Sequence, residues 1–136
     1  MSRDRLPRLL MTFADEVSRL STCSRLQVGA VLTDLTMEQI LGYGYNGNAA
    51  GLPNLCDYDE PGGCGCVHAE LNALLKAGRG PKRAFLTDGP CVACAKAMIN
   101  GGIASVRVAR PYRDPSGLIL LDRACISLWV EWEVGT

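Results

Sequence analysis

The chain predicts an α/β domain, with a central mixed sheet of about five strands and helices on both faces. Two observations predict it. Short β-branched apolar runs alternate with stretches whose apolar residues recur every three to four positions. No repeat, low-complexity tract or linker interrupts that alternation, so residues 1–136 are expected to form one domain.

Leu6, Leu10, Phe13, Val17 and Leu20 form one face of a first helix, with Asp4 as its cap and Pro7 in its first turn. "QVGAVLT" (27–33) and "QILGYGY" (39–45), separated by a polar turn, predict a hairpin. Residues 46–65, "NGNAAGLPNLCDYDEPGGCG", predict a loop of about twenty residues, a length usually found at functional or anchored segments. From residue 68 the pattern turns helical, with Leu71, Leu74 and Leu75 on one face and Gly78 or Gly80 as the stop. "RAFLT" (83–87) predicts a strand, "CVACAKAMING" (91–101) a helix behind Pro90, and "ASVRVA" (104–109) another strand. "GLILLDRAC" (117–125) predicts a helix with Cys125 in the core, and "ISLWVEWEV" (126–134) a last strand. Trp129 and Trp132 point to opposite sides of that strand, one expected in the core and one at the surface.

Fourteen basic residues balance fourteen acidic ones, which argues against a nucleic-acid binder working through a broad basic surface. No apolar run is long enough for a secretion signal or a membrane span, so a cytoplasmic protein is expected. In a reducing compartment seven cysteines point to metal rather than to disulfides.

The chemistry concentrates in His68-Ala69-Glu70 and Pro90-Cys91-Val92-Ala93-Cys94. Cys91 and Cys94 share one helix face in the first turn, where unpaired N–H groups and the macrodipole favour thiolate. Two thiolates and a neutral imidazole suit Zn²⁺, and three protein ligands leave a fourth position for water, the pattern of a catalytic site. Glu70 stands too near His68 to ligate the same ion comfortably and is expected to move the proton. Alone, a histidine is usually structural and a CxxC is often a redox pair or half of a structural site. Together, H-x-E before a helix and P-C-x-x-C after a strand match the zinc-deaminase signature.

At these residues, and through "CSRLQVGAVL", "GYNG", "HAELNAL", "PCVACAKAMINGGI" and "PYRD", the chain resembles the deoxycytidylate deaminases of the cytidine/deoxycytidylate deaminase superfamily. The resemblance implies the cytidine-deaminase three-layer fold and a catalytic zinc on His68, Cys91 and Cys94. It implies hydrolytic deamination of dCMP to dUMP: water attacks C4 of cytosine, Glu70 carries the protons and ammonia leaves. Asn46 resembles the family's sugar contact, Arg25 and Arg113 its phosphate contacts, and Tyr112 a neighbour of the sugar–phosphate. Ala69 is expected to offer its backbone N–H to the base carbonyl. The resemblance also implies a nucleotide effector site, for dCTP and dTTP, near Gly44, Tyr45, Asn46 and Gly47. It implies a homo-oligomer, hexamer or dimer, with neither nucleic acid nor membrane as partner.

Cys23, Cys56, Cys64 and Cys66 are left over. A second zinc on these four thiolates would explain how a loop poor in apolar residues stays ordered, and some deoxycytidylate deaminases carry a second zinc in equivalent regions. Metal-free thiols, or three cysteines with another ligand and Cys66 packed beside His68, stand as alternatives. For function the alternatives are another cytosine nucleotide (dCTP or a 5-modified dCMP), a tRNA adenosine deaminase, or a structural zinc module that binds a protein partner.

Overall fold

A computed structural model of the chain describes residues 5–58, 64–111 and 114–131. Strand β1 (Gly29–Thr33) is buried along its whole length because it runs between two neighbours and under two layers of helix. On one side it pairs antiparallel with β2 (Ile40–Tyr45), as the predicted hairpin requires. On the other it pairs antiparallel with β3 (Lys82–Asp88). Then β4 (Ile103–Arg110) and β5 (Ser127–Val130) continue in parallel, giving a five-stranded mixed sheet in the order β2-β1-β3-β4-β5.

The period-two alternation of the central strands divides the core. Ala30, Leu32, Ala84, Leu86, Val106 and Val108 face helices α2 (Ala69–Ala77), α3 (Val92–Asn100) and α4 (Ser116–Arg123). Val31 and Phe85 face the other way, onto Leu10, Met11, Ala14 and Val17 of α1 (Arg5–Ser18). The three layers match the predicted architecture. No helix among the described residues is long and apolar enough to cross a membrane.

Helix α2 lies unusually close to β2. A Cβ on Gly44 would come within 2.4 Å of the Ala69 oxygen and 2.6 Å of the Ala73 nitrogen. The sheet therefore needs glycine there, and small residues on the facing side: Ala69 and Ala73 are fully buried. Of the expected leucine face of α2, Leu74 packs on this core. Leu75 is 82% exposed, and Leu71 and Leu74 are only half-buried. The contact is made by alanines and glycine because leucines would hold helix and strand apart.

At the end of α4 the Ile126 N–H donates to the Leu121 oxygen at 3.1 Å, and the Cys125 N–H to the Asp122 oxygen at 2.9 Å. This is a Schellman motif with Cys125 in its left-handed position, at φ 63°. Cys125 is thereby turned out to solvent, contrary to the core position expected, and Ile126 packs inward with Leu121 in its place. The first helix also stops at Ser18, leaving Leu20 exposed. Trp129 is exposed and stacks on the Arg107 guanidinium, whose centre lies 4.3 Å from the ring. Trp132 and Asp4 lie outside the described residues.

Candidate metal centre and active site

Two chain segments meet at the helix starts behind β1 and β3. The first is anchored by an isolated bridge in which Val67 N–H donates to Gly47 O at 2.7 Å and Gly47 N–H to Val67 O at 3.1 Å. His68 follows at once as the N-cap of α2, with extended backbone. The second segment leaves β3 at Asp88, turns through Gly89-Pro90 and delivers Cys91 as the N-cap of α3. The Cys94 N–H reaches back to Cys91 Sγ at 3.5 Å.

His68 Nδ1 lies 3.2 Å from Cys94 Sγ and 3.5 Å from Cys91 Sγ, and the three donor atoms all fall within 4.8 Å of one another. Bonds of 2.0–2.3 Å to one tetrahedral ion place neighbouring donors ~3.5–3.8 Å apart. The residues present therefore fit zinc in number, type and spacing. The charges fit as well. Burial, then the charges of Glu70 and Cys91, push the Cys94 thiol up. Without a cation that crowding keeps the thiol protonated, and a bound cation would favour the thiolate instead. Both thiols also face the positive end of α3.

Glu70 is in the first turn of α2 and 5% exposed. Burial, with a contribution from the Asp88 charge, raises its carboxyl from 4.5 to about 7, against opposing hydrogen bonds from its own backbone N–H and, more weakly, from Cys94. A carboxyl poised there both accepts and returns a proton near neutrality.

A small cavity of about 90 Å³ opens in front of these groups. Arg25, Asn46, His68, Ala69 and Glu70 all line it. Arg25 is exposed at its edge, whereas Asn46 is buried and fixed. Asn46 Oδ1 accepts from the Val28 N–H at 2.8 Å, and its Nδ2 donates to the Leu26 oxygen at 2.6 Å. Asn46 thus shapes the wall that Leu26 and Val28 complete. Tyr112 and Arg113 lie outside the described residues.

Gly44, Tyr45 and Gly47 line a separate hollow with Asn48, Asn72 and Lys76, while Asn46 faces the metal-site cavity instead. Sequence reasoning missed Asp88, which lines the cavity beside Glu70. Arg110 holds it with two bonds, Nη2 to Oδ1 at 3.0 Å and Nε to Oδ2 at 3.2 Å. The signal available was its place at the carboxyl end of a parallel strand, immediately before Gly-Pro-Cys.

Layered fold and N/S₂ donor set together define a zinc-binding hydrolytic domain. Residues 5–110 match the family model described as cytidine and deoxycytidylate deaminase zinc-binding region. The chain belongs to that family. It is 32% identical over 124 residues to ComE operon protein 2 of Bacillus subtilis (strain 168), covering 79% of this chain but 61% of that one. It is also 32% identical over 124 residues to the deoxycytidylate deaminase of Mycobacterium phage D29, covering 78% of this chain and 95% of the phage protein. The crystal structure of dCMP deaminase from the cyanophage S-TIM5 in complex with dCMP and dUMP superposes with a TM-score of 0.83. That match has 27% identity and covers 96% of this chain and 98% of the phage chain.

Proposed function

We propose that this chain is a deoxycytidylate deaminase, converting dCMP and water to dUMP and ammonia. The observation that carries the reading is a buried carboxyl, Glu70, facing the same small cavity as a three-donor zinc set. The likeness to a phage enzyme solved with dCMP and dUMP supports the choice of base and phosphate.

His68, Cys91 and Cys94 would hold zinc, which would supply the Lewis acidity that brings the pKa of a water from about 15.7 to about 7. Glu70 takes the proton released by that water and passes it to N3 of the cytosine, then delivers the second proton to the departing amine. Ala69, fully buried at the helix start, presents its backbone N–H toward the base carbonyl. The wall of Leu26, Val28 and Asn46 excludes bulk water and seats the sugar. Arg25 at the edge binds the phosphate, since a planar guanidinium pairs with phosphate oxygens.

A nucleotide effector, dCTP or dTTP, would sit in the hollow lined by Gly44, Tyr45, Gly47 and Lys76, and in this reading the enzyme works as a cytoplasmic homo-oligomer. Ammonia release from dCMP, dCTP, 5-methyl-dCMP and deoxycytidine tests the substrate. dCMP is expected to be turned over with the highest kcat/KM. A preference for dCTP or the 5-methyl nucleotide would move the assignment within the family, and activity on none of the four would overturn it.

A further inference from the structure

Asp88 and Arg110 stand where the core pattern calls for apolar side chains. Ala84, Leu86, Val106 and Val108 face the layer of α2, α3 and α4. Asp88 and Arg110 occupy the next inward positions on the same two strands and pair directly across β3 and β4. An aspartate only 6% exposed needs partners for its charge. Its Oδ1 accepts from Arg110 Nη2 at 3.0 Å and from the Thr87 hydroxyl at 2.7 Å, and its Oδ2 accepts from Arg110 Nε at 3.2 Å. Arg110 thus grips the carboxylate with both arms of its fork, a geometry that adds orientation to charge. With both oxygens engaged, Asp88 is built to hold its surroundings in place rather than to react.

What the pair surrounds is the turn that delivers Cys91. Asp88 ends β3, and Gly89-Pro90 leads from it to Cys91 at the start of α3. The backbone of Arg110 joins the grip, since the Gly89 N–H donates to the Arg110 oxygen at 2.9 Å. Thr87 ties the same stretch to the strand on the other side. Its hydroxyl accepts from the Gly29 N–H of β1 at 3.0 Å while it donates to Asp88. From behind, α4 closes on the turn so tightly that a Cβ on Gly117 would collide with the Pro90 oxygen. Strands β4 and β1 and helix α4 therefore confine the turn from three directions, and only the Arg110–Asp88 contact does so through charge.

We propose that Asp88 and Arg110 are positioning residues for the metal centre: their ion pair locks the 89–91 turn so that the Cys91 sulfur stays where His68 and Cys94 can share an ion with it. A donor already in place loses little freedom when the ion binds, so the ion is held more tightly. Partners that orient a ligand in this way commonly change metal affinity by about 10–100-fold when removed. The proposal rests on the reading of His68, Cys91 and Cys94 as zinc donors and is independent of which nucleotide is deaminated.

Release of the ion is read at Cys91 itself. Zinc-loaded full chain is mixed with EDTA, pulsed with N-ethylmaleimide and digested, and labelling of Cys91 is followed by fragment mass. A zinc-bound sulfur is labelled slowly, so the rate reports loss of its own ion. Residue-level mapping is needed because Cys23, Cys56, Cys64 and Cys66 bring their sulfurs within 4.8 Å of one another and form a separate candidate donor set. Asp88→Asn keeps the shape but loses the charge, and Cys91 should be labelled about 10–100-fold faster. Arg110→Lys cannot grip both oxygens and should accelerate labelling in the same direction. Its side chain is 54% exposed, so it gives the same test should Asp88→Asn fail to fold. Ile103→Val, at the opposite end of β4, removes one buried methyl and lowers stability without touching the turn; labelling should match wild type. Unchanged labelling in Asp88→Asn and Arg110→Lys would overturn the proposal. So would equal acceleration by Ile103→Val, which would make the effect one of general stability. A wild-type Cys91 that zinc does not protect would remove the metal reading and this proposal with it, an outcome distinct from a protected wild type with unchanged variants.

Discussion

Replacing Glu70 by glutamine separates what the residue does for catalysis from what it costs the fold. Glutamine keeps the shape but neither accepts nor returns a proton. Positioned acid–base groups contribute about 10²–10⁴-fold, so kcat on dCMP is expected to fall by that factor, or ~3–5 kcal/mol of barrier. Zinc content should not change, because the metal donors are His68, Cys91 and Cys94. Stability should move the other way in metal-stripped protein. Burial lifts the carboxyl from 4.5 to about 7, which at 1.36 kcal/mol per tenfold change in proton affinity penalises the charged form by ~3 kcal/mol. Between those two pH values the unfolded chain releases the proton while the folded chain keeps it. Wild-type stability therefore falls as pH climbs through that window and levels off above it. The glutamine variant has no such loss, so its advantage should grow from nothing near pH 4.5 to ~3 kcal/mol above pH 7. Ammonia release, elemental analysis, and urea unfolding of stripped protein at several pH values read all three effects. Unchanged turnover would refute the proton-carrying role. Zinc lost in step with activity would make Glu70 a ligand, and a pH-independent stability gap would refute the burial argument.

Three further outcomes follow from particular contacts. Arg25→Ala should raise KM for dCMP about 10–100-fold, the weight of a charge-assisted hydrogen bond, while leaving deoxycytidine nearly unaffected; equal losses on both substrates would remove it from the phosphate. Gly44→Ala should cost ~1–3 kcal/mol in urea unfolding and reduce turnover as well, because the added methyl meets the backbone of the helix that carries Glu70. Cys125→Gly should stabilise by ~1 kcal/mol in the same assay, since it relieves a left-handed residue that nothing else requires to be cysteine.

Much of this was readable from residue order because the first metal set is built from short local patterns. His68 and Glu70 are two apart at one helix start, and Cys91 and Cys94 three apart at another. The hairpin, the strand and helix order and the layer count rest on periodicity, which the hydrophobic effect enforces over many residues. What was misread depends on single contacts. Leu75 obeys the helical period, but the closeness of α2 to β2 selects alanine faces, and only the pairing of the elements reveals that closeness. Cys125 sits where a core residue fits the pattern, yet one left-handed dihedral hands the core position to Ile126. Asp88 was overlooked because its partner Arg110 lies on the next strand, and no local spacing links them.

The donors to the first ion are of two kinds in the order of assembly. Cys91 and Cys94 belong to one helical turn, and even a collapsed chain can offer them together as a weak two-toothed grip. His68 joins them only after β1 has zipped to β3 and α2 has docked on the hairpin. An ion captured early is therefore held loosely until the sheet closes, and its release rate reports whether the tertiary fold has arrived.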